Sequence, residues 1–270
     1  MSPTELTPLT HQVLWAAFLV AMAFGAIVQR TGFCTMGAVS DAVHVGDWTR
    51  LRQWALAAGV AMLGFGVLAW SGAIPAGKVL YASNRLIWLS ALVGGAIFGF
   101  GMVLASGCVS KTLVRVGGGN LKSLVVTIVL GVAAFATLKG LTAVWRTATV
   151  DRVAADLATS ASVPGWAAAA LGTNPAWTGL AAALVLGGAL VGWALSGRDF
   201  LQGRNLLAGV GIGAAVTAMW WVSGHLGHLA EHPQTLEEVF LATNSGRAEA
   251  LSFVSPVAYT LDWLMFYSDR

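Results

Sequence analysis

Residues 24–34 read FGAIVQRTGFC, and residues 98–108 read FGFGMVLASGC. In both, a Phe-Gly pair ends an apolar helical run and a cysteine follows nine residues after the glycine. Cys34 and Cys108 are the only cysteines in the chain of 270 residues. Each opens a short apolar segment. The first runs from Cys34 to Val45 and is closed by Gly46-Asp47; the second runs from Cys108 to Val116 and is closed by Gly117-Gly118-Gly119-Asn120. A helix needs about 20 apolar residues to cross a bilayer, so both segments read as half-helices that re-enter the membrane. The repeat, around residues 24–45 and 98–117, sets the frame for the rest of the chain.

Composition fixes the solvent. The chain is 57% hydrophobic and 10% charged, against about 25% charged for a soluble domain. Its apolar runs are continuous rather than alternating, which selects helices over a barrel. The fold class expected is all-α: a polytopic helical membrane protein with six to seven transmembrane helices and the two half-helices. Spanning helices are expected at about Val13–Gln29, Gln53–Trp70, Leu86–Ala105, Leu121–Leu141, Trp177–Leu195 and Leu206–Val222. Residues 143–160 have mixed polarity and read as interfacial. The tail VAYTLDWLMFYSDR reads as the start of a further helix that ends early. The N-terminal MSPTELTPLTHQ carries no Lys or Arg, so it lacks the basic region of a signal peptide and the first helix directs insertion.

Loop charge gives an orientation. Arg30, Arg50, Arg52, Lys111, Arg115, Lys122, Arg198 and Arg204 fall at one end of the bundle, and the loop from His225 to Ser255 holds Arg247 as its only Lys or Arg. The positive-inside rule then places the N-terminus outside the cell. Lys78, Arg85, Arg146 and Arg152 stand against this pattern. The net charge of +3 comes without a basic tail, so no nucleic-acid partner is expected; the bilayer is.

A helix that ends inside a membrane leaves its first N–H groups unpaired, and together with the peptide dipoles they favour an anion. Two such ends placed together make a site of the kind transporters build at a repeat interface. Gly32, Ser106 and Gly107 let the backbone approach a substrate, and Thr31 lies beside them. A thiol adds a weak donor and a polarizable sulfur, which suits a sulfur-bearing anion. The expected substrate-binding residues are Cys34, Cys108, Gly32, Thr31, Ser106, Gly107 and Lys111. Lys111 and Arg115 follow Cys108 by three and seven residues, placed to draw anions or to snorkel to the interface. A single membrane cysteine is most often a small buried apolar residue; matched repetition argues for more here. Asp41 and His44 read as the end of the first half-helix, with a proton relay as the alternative. His225, His228 and His232 have spacings that suit a metal on a helix but sit in a loop near Pro233. No metal, cofactor or catalytic residue is assigned, and no ATP-binding motif is present.

QRTGFCTMGAVSDAVHVGD (29–47) and GAIFGFGMVLASGCVSKTLVRVGGGNLKSLVV (95–126) resemble the YeeE/YedE family of membrane proteins, the sulphur-transport domain family, and ALSFVSPVAYTLDWLM (250–265) resembles its central region. The resemblance implies a bacterial inner-membrane, multi-pass importer of thiosulfate, shaped like an hourglass with short helices meeting at the waist. It implies a relay of thiols, Cys34 and Cys108, that hydrogen-bond the substrate in turn, and a TusA-like cytosolic sulfur carrier as partner. It also implies a second half with another Gly-Gly-Cys motif, which the sequence to Arg270 does not contain. Residues 1–270 thus read as a single transmembrane transport domain without that half, through truncation, assembly of two copies as a homo-oligomer, or a reduced waist. Two other readings differ in chemistry: a membrane-embedded sulfurtransferase carrying a persulfide, and a redox-sensing subunit closing a disulfide. The first lacks a general base near either cysteine except His44, and the second needs thiols close together and exposed.

Overall fold

A computed structural model describes residues 3–157, 162–233 and 235–269. Nearly all of the ordered structure is helical. Six segments are long and apolar enough to cross a membrane: Leu6–Val45, Thr49–Trp70, Trp88–Gly117, Leu121–Lys139, Pro175–Leu195 and Gly203–Leu226. Two contain a break. In the first, α1 (Pro3–Thr31) stops and α2 (Thr35–Ser40) follows, extended by a wide π turn to Val45. In the third, α4 (Trp88–Leu104) stops and α5 (Val109–Gly117) follows. The expected half-helices are these second pieces, and at about 1.5 Å per residue neither is long enough to span.

The remaining helices are α3 (Thr49–Trp70), α6 (Leu121–Lys139), α7 (Leu141–Ala148), α8 (Val163–Leu171), α9 (Pro175–Ala182), α10 (Gly188–Leu195), α11 (Gly203–Trp221) and α12 (Val254–Met265). Gly140 splits the stretch expected as one helix to Leu141, since an extended backbone there starts α7. A π turn at Ala183–Gly187 joins α9 to α10 in one spanning segment.

The bundle packs through glycine rather than through large side chains. Lipid is as apolar as leucine, so helices in it associate by close backbone approach. The axis is α3, packed against α11 on one side and α9–α10 on the other. A Cβ on Gly213 would stand 2.7 Å from the Ala57 carbonyl oxygen, and one on Gly59 would stand 2.8 Å from that of Gly187. Large side chains point outward instead, as Trp15, Phe18, Leu92, Phe100 and Val129 do. A polar tie crosses the interior: Gln53 Nε2 donates to Asn205 Oδ1 at 2.8 Å, and Asn205 donates to the Phe200 carbonyl.

Contacts place the loops at two ends. At one end Arg204 donates to the Thr31 carbonyl, Arg52 to the carbonyls of Trp193 and Ala194, and Arg50 pairs with Asp41. At the other, Arg85–Leu86 pairs antiparallel with Ala155–Asp156, and His228–Leu229 with Val239–Phe240. Three of the four cations that stand against the charge pattern are tied to acids or carbonyls there: Lys78 to Glu238, Arg146 to Asp151, and Arg85 to the Asp151 carbonyl. The charges of Lys78 and Arg146 are thus met locally.

Lys78 first, then His228, hold the Glu238 carboxyl below the usual carboxylate range. A depressed pKa means the tie is present above the ordinary value and is lost as pH falls through the lowered one. Glu238→Gln should therefore speed amide exchange at 228–240 and 76–80 at neutral pH and leave the helices unchanged, as read by deuterium-exchange mass spectrometry.

The tail forms the short helix its sequence reading expects, entered from the interior. The loop from His225 stays at its end of the bundle only to Glu249, whose backbone N–H bonds to Ser223 Oγ. The next residues turn inward along α1, and the ring of Phe253 packs on that of Phe24 at 5.1 Å. Helix α12 then runs beside α6 in the same direction. Gly131 faces Val257 and Leu261, while Lys139 pairs with Asp262 at 3.5 Å. The opposite sense would set Lys139 beside residues that precede α12. At about 1.5 Å per residue, the 12 residues of α12 make a third short helix, one that starts in the interior.

Candidate functional site

The two breaks come together. Gly32, with φ of 72°, turns the chain at the end of α1, a conformation open to glycine at little cost. Phe33 is buried and stacks on Trp54 at 5.3 Å. Cys34 then takes the cap position of α2, where its sulfur accepts the Gly37 N–H at 3.5 Å. In the second copy Ser106 makes the turn in the left-handed region (φ 56°), and Arg115 donates to its carbonyl. Cys108, extended, precedes the first turn of α5. A residue other than glycine with a positive φ is uncommon, and here Ser106 turns the chain into the half-helix.

The sulfurs of Cys34 and Cys108 lie 3.6 Å apart, a shared S–H···S hydrogen bond. Both thiols are free and buried, with 1% and 5% of their surface exposed. Each hairpin also turns a backbone N–H toward the other's sulfur. The Cys108 N–H points to the sulfur of Cys34, and the Thr35 N–H points to that of Cys108. The Lys111 N–H also points to Cys108, and Ser110 Oγ lies 3.2 Å from it. Unpaired first-turn N–H groups from two helices thus converge on two sulfurs. An anion that reaches this place meets S–H, O–H and N–H donors together.

The other expected site residues divide. Gly32 and Gly107 lie beside the thiols in the chain, and a Cβ on Gly107 would meet the Lys111 stem in ordinary contact at 3.6 Å. The Thr31 hydroxyl donates to the Ile27 carbonyl at 2.7 Å, closing the last turn of α1. Ser106 is exposed and contributes its backbone turn. Lys111 is half-buried on α5. Asp41 pairs with Arg50, His44 Nδ1 lies 3.1 Å from the Ser40 carbonyl oxygen, and His225 and His228 engage the Ala73 carbonyl and Glu238. Among the described residues no three His, Cys, Asp or Glu side chains gather as a metal cluster.

Ser110 and Arg204 are the residues that motif spacing missed. Ser110 had a local signal, lying two residues into the half-helix that Cys108 opens. Arg204, which holds the Thr31 carbonyl at 2.9 Å, had none, because 173 residues separate them.

Residues 30–270 match the model of a family described as Sulphur transport. The chain belongs to the sulphur transport family. With six segments fit to cross a membrane, this member is a multi-pass membrane protein. It is similar to the thiosulfate transporter TsuA of Spirochaeta thermophila, 29% identical over 133 residues, which are 49% of this chain and 39% of that protein. It is also similar to the thiosulfate transporter TsuA of Escherichia coli, 32% identical over 111 residues, 41% of this chain and 30% of that one. A third relative is the probable transporter YedE of Escherichia coli, 29% identical over 115 residues, 43% of this chain and 27% of that one. The matched part of this family member spans no more than 39% of any of these three relatives.

An elongated hollow of about 440 Å³ lies on the far side of the site, lined by Val13, Phe18, Phe24, Ser223 and Phe253 among others. It follows α1 inward to the Phe24–Phe253 pair, and neither cysteine lines it. The aromatic pair separates the hollow from the core that holds Phe33, the neighbour of Cys34. Phe253→Ala should therefore raise the rate at which a membrane-impermeant maleimide added on the Glu238 side labels the cysteines. An unchanged rate would show that the hollow is unconnected to them.

Proposed function

We propose that this chain is a transport protein, not an enzyme, that passes thiosulfate or a related small sulfur-containing anion across the inner membrane of a bacterium, with Cys34 and Cys108 at the narrowest point. The observation that carries the reading is the thiol pair itself: two sulfurs 3.6 Å apart at the starts of two short helices, surrounded by N–H donors. The family and the names of its thiosulfate-transporting relatives support the substrate class. In the ground state one thiol donates its hydrogen bond to the other. An arriving anion replaces S–H···S with two charge-assisted bonds, which are shorter and stronger than neutral ones. The thiols hand the anion on without covalent chemistry, so neutral thiols suffice.

Direction follows from the charged end. Lys111 and Arg115 lie on α5 beyond Cys108 and draw the anion onward to the end that carries Arg30, Arg50, Arg52, Lys122, Arg198 and Arg204. The positive-inside rule makes that end cytoplasmic, so flow from the Glu238 end is import, and a TusA-like carrier would receive the product there. A Cβ on any of the α4 glycines Gly94, Gly95, Gly99 and Gly101 would meet no neighbouring atom within 4 Å, so α4 is open to a second copy in a homo-oligomer.

The redox-sensor reading gains one observation and meets another. The thiols are close, as it requires, but they are buried rather than exposed. Uptake of radiolabelled thiosulfate by cells lacking their own sulfur-anion importers tests the transport reading. Uptake above the empty-vector level is expected. A chain that inserts in the membrane and takes up none would overturn it.

A further inference from the structure

Two thiols that share one hydrogen bond are also two ligands already gathered. Cys34 and Cys108 are free, buried and 3.6 Å apart. No third His, Cys, Asp or Glu joins them among the described residues. This set is wrong for zinc, which takes four ligands at structural sites, and for magnesium or calcium, which take oxygen. It fits a closed-shell thiophilic cation content with two sulfurs in line, since soft thiolates select copper(I) over harder ions.

The geometry asks little. Metal–sulfur bonds of about 2.3 Å, placed end to end, set the sulfurs about 4.6 Å apart. Each helix start then yields about half an ångström. The charge is also provided for. A univalent ion displaces both thiol protons to solvent, M⁺ + 2 RSH → [M(SR)₂]⁻ + 2 H⁺, and the product carries one negative charge. The Gly37 and Cys108 N–H groups face one sulfur, and the Thr35 and Lys111 N–H groups and Ser110 hydroxyl face the other. Such donors stabilise thiolate, and burial excludes competing water.

We propose that Cys34 and Cys108 form a two-coordinate site for one closed-shell univalent thiophilic ion, copper(I) or silver(I), which staples the two hairpins together and closes the space between the sulfurs. This does not depend on which anion the protein carries.

The test uses the full chain, reduced and held in lipid nanodiscs, titrated with silver nitrate in chloride-free buffer and counted by native mass spectrometry. Counts are taken relative to the Cys34→Ser, Cys108→Ser double variant, which removes any silver held by methionine. One silver per chain is expected, lost in either single variant, with no matching uptake of zinc. Silver-edge X-ray absorption of the unmodified protein, which needs no variant, should show two sulfur neighbours in line. Two silver ions per chain with one kept in each single variant, a single sulfur neighbour, equal zinc binding or no silver at all would each overturn the site.

Discussion

Replacing Cys108 by alanine should lower the apparent affinity for thiosulfate by about ten- to hundredfold while the protein still reaches the membrane. Alanine removes the S–H that an anion would accept and leaves the Thr35 and Lys111 N–H groups without the sulfur they face. A hydrogen bond to a charged group is worth about 1.5–3 kcal/mol net, and each 1.4 kcal/mol is about tenfold. Cys34→Ala should cost a similar factor, because its sulfur faces the Gly37 and Cys108 N–H groups in the same way. Serine at either position keeps a donor but shortens its reach, so it should fall between alanine and cysteine. Concentration-dependent uptake of radiolabelled thiosulfate, corrected for the amount in the membrane, checks the order. Equal uptake by alanine, serine and cysteine would show that the sulfurs only fill space.

Gly213→Ala and Gly95→Ala should change stability in opposite directions. In water-exposed helices alanine is favoured over glycine by about 1 kcal/mol. At Gly95 a Cβ meets nothing within 4 Å, so that preference is free to act and the substitution should be neutral or stabilising. At Gly213 the same Cβ would lie 2.7 Å from the Ala57 carbonyl and 2.6 Å from the Val60 Cβ. Backbone in the centre of the α3–α11 seam cannot step aside as a flexible side chain does. The overpacking cost of about 1–3 kcal/mol then outweighs the helix preference, and a lower thermal midpoint in detergent should report it. A stable Gly213→Ala protein would mean that α3 and α11 are not held as closely as described.

How much of this was legible in the sequence depends on whether the signal was local. The matched FG…C stretches and the glycine breaks after Val45 and Val116 marked two short helices opened by cysteine, and α2 and α5 lie there. A composition with few charges marked the membrane, since hydropathy over about 20 residues is a one-dimensional property. The direction of α12 had no such signal. A dozen apolar residues read the same climbing or descending, and only the Gly131 and Lys139 contacts with α12 decide it. The inward turn of Leu251 to Phe253 looked like loop because a polar, acidic stretch precedes it. The approach of each hairpin to the other's sulfur was hidden for the same reason: Thr35 and Cys108 are neighbours only after α1, α5 and their turns have folded. Gly32 and Gly107 had a backbone role that glycine itself suggests. Nothing in the residue type of Ser106 announced its left-handed turn.

The central claim is that the two sulfurs act on one anion at one place. Measuring thiosulfate affinity for the unmodified chain, Cys34→Ala, Cys108→Ala and the double variant tests it most directly, because residues that serve one interaction couple strongly and separate ones add. The account predicts that the double variant loses little more than the worse single variant. Losses that simply add, or a double variant that carries thiosulfate as well as the unmodified protein, would contradict it.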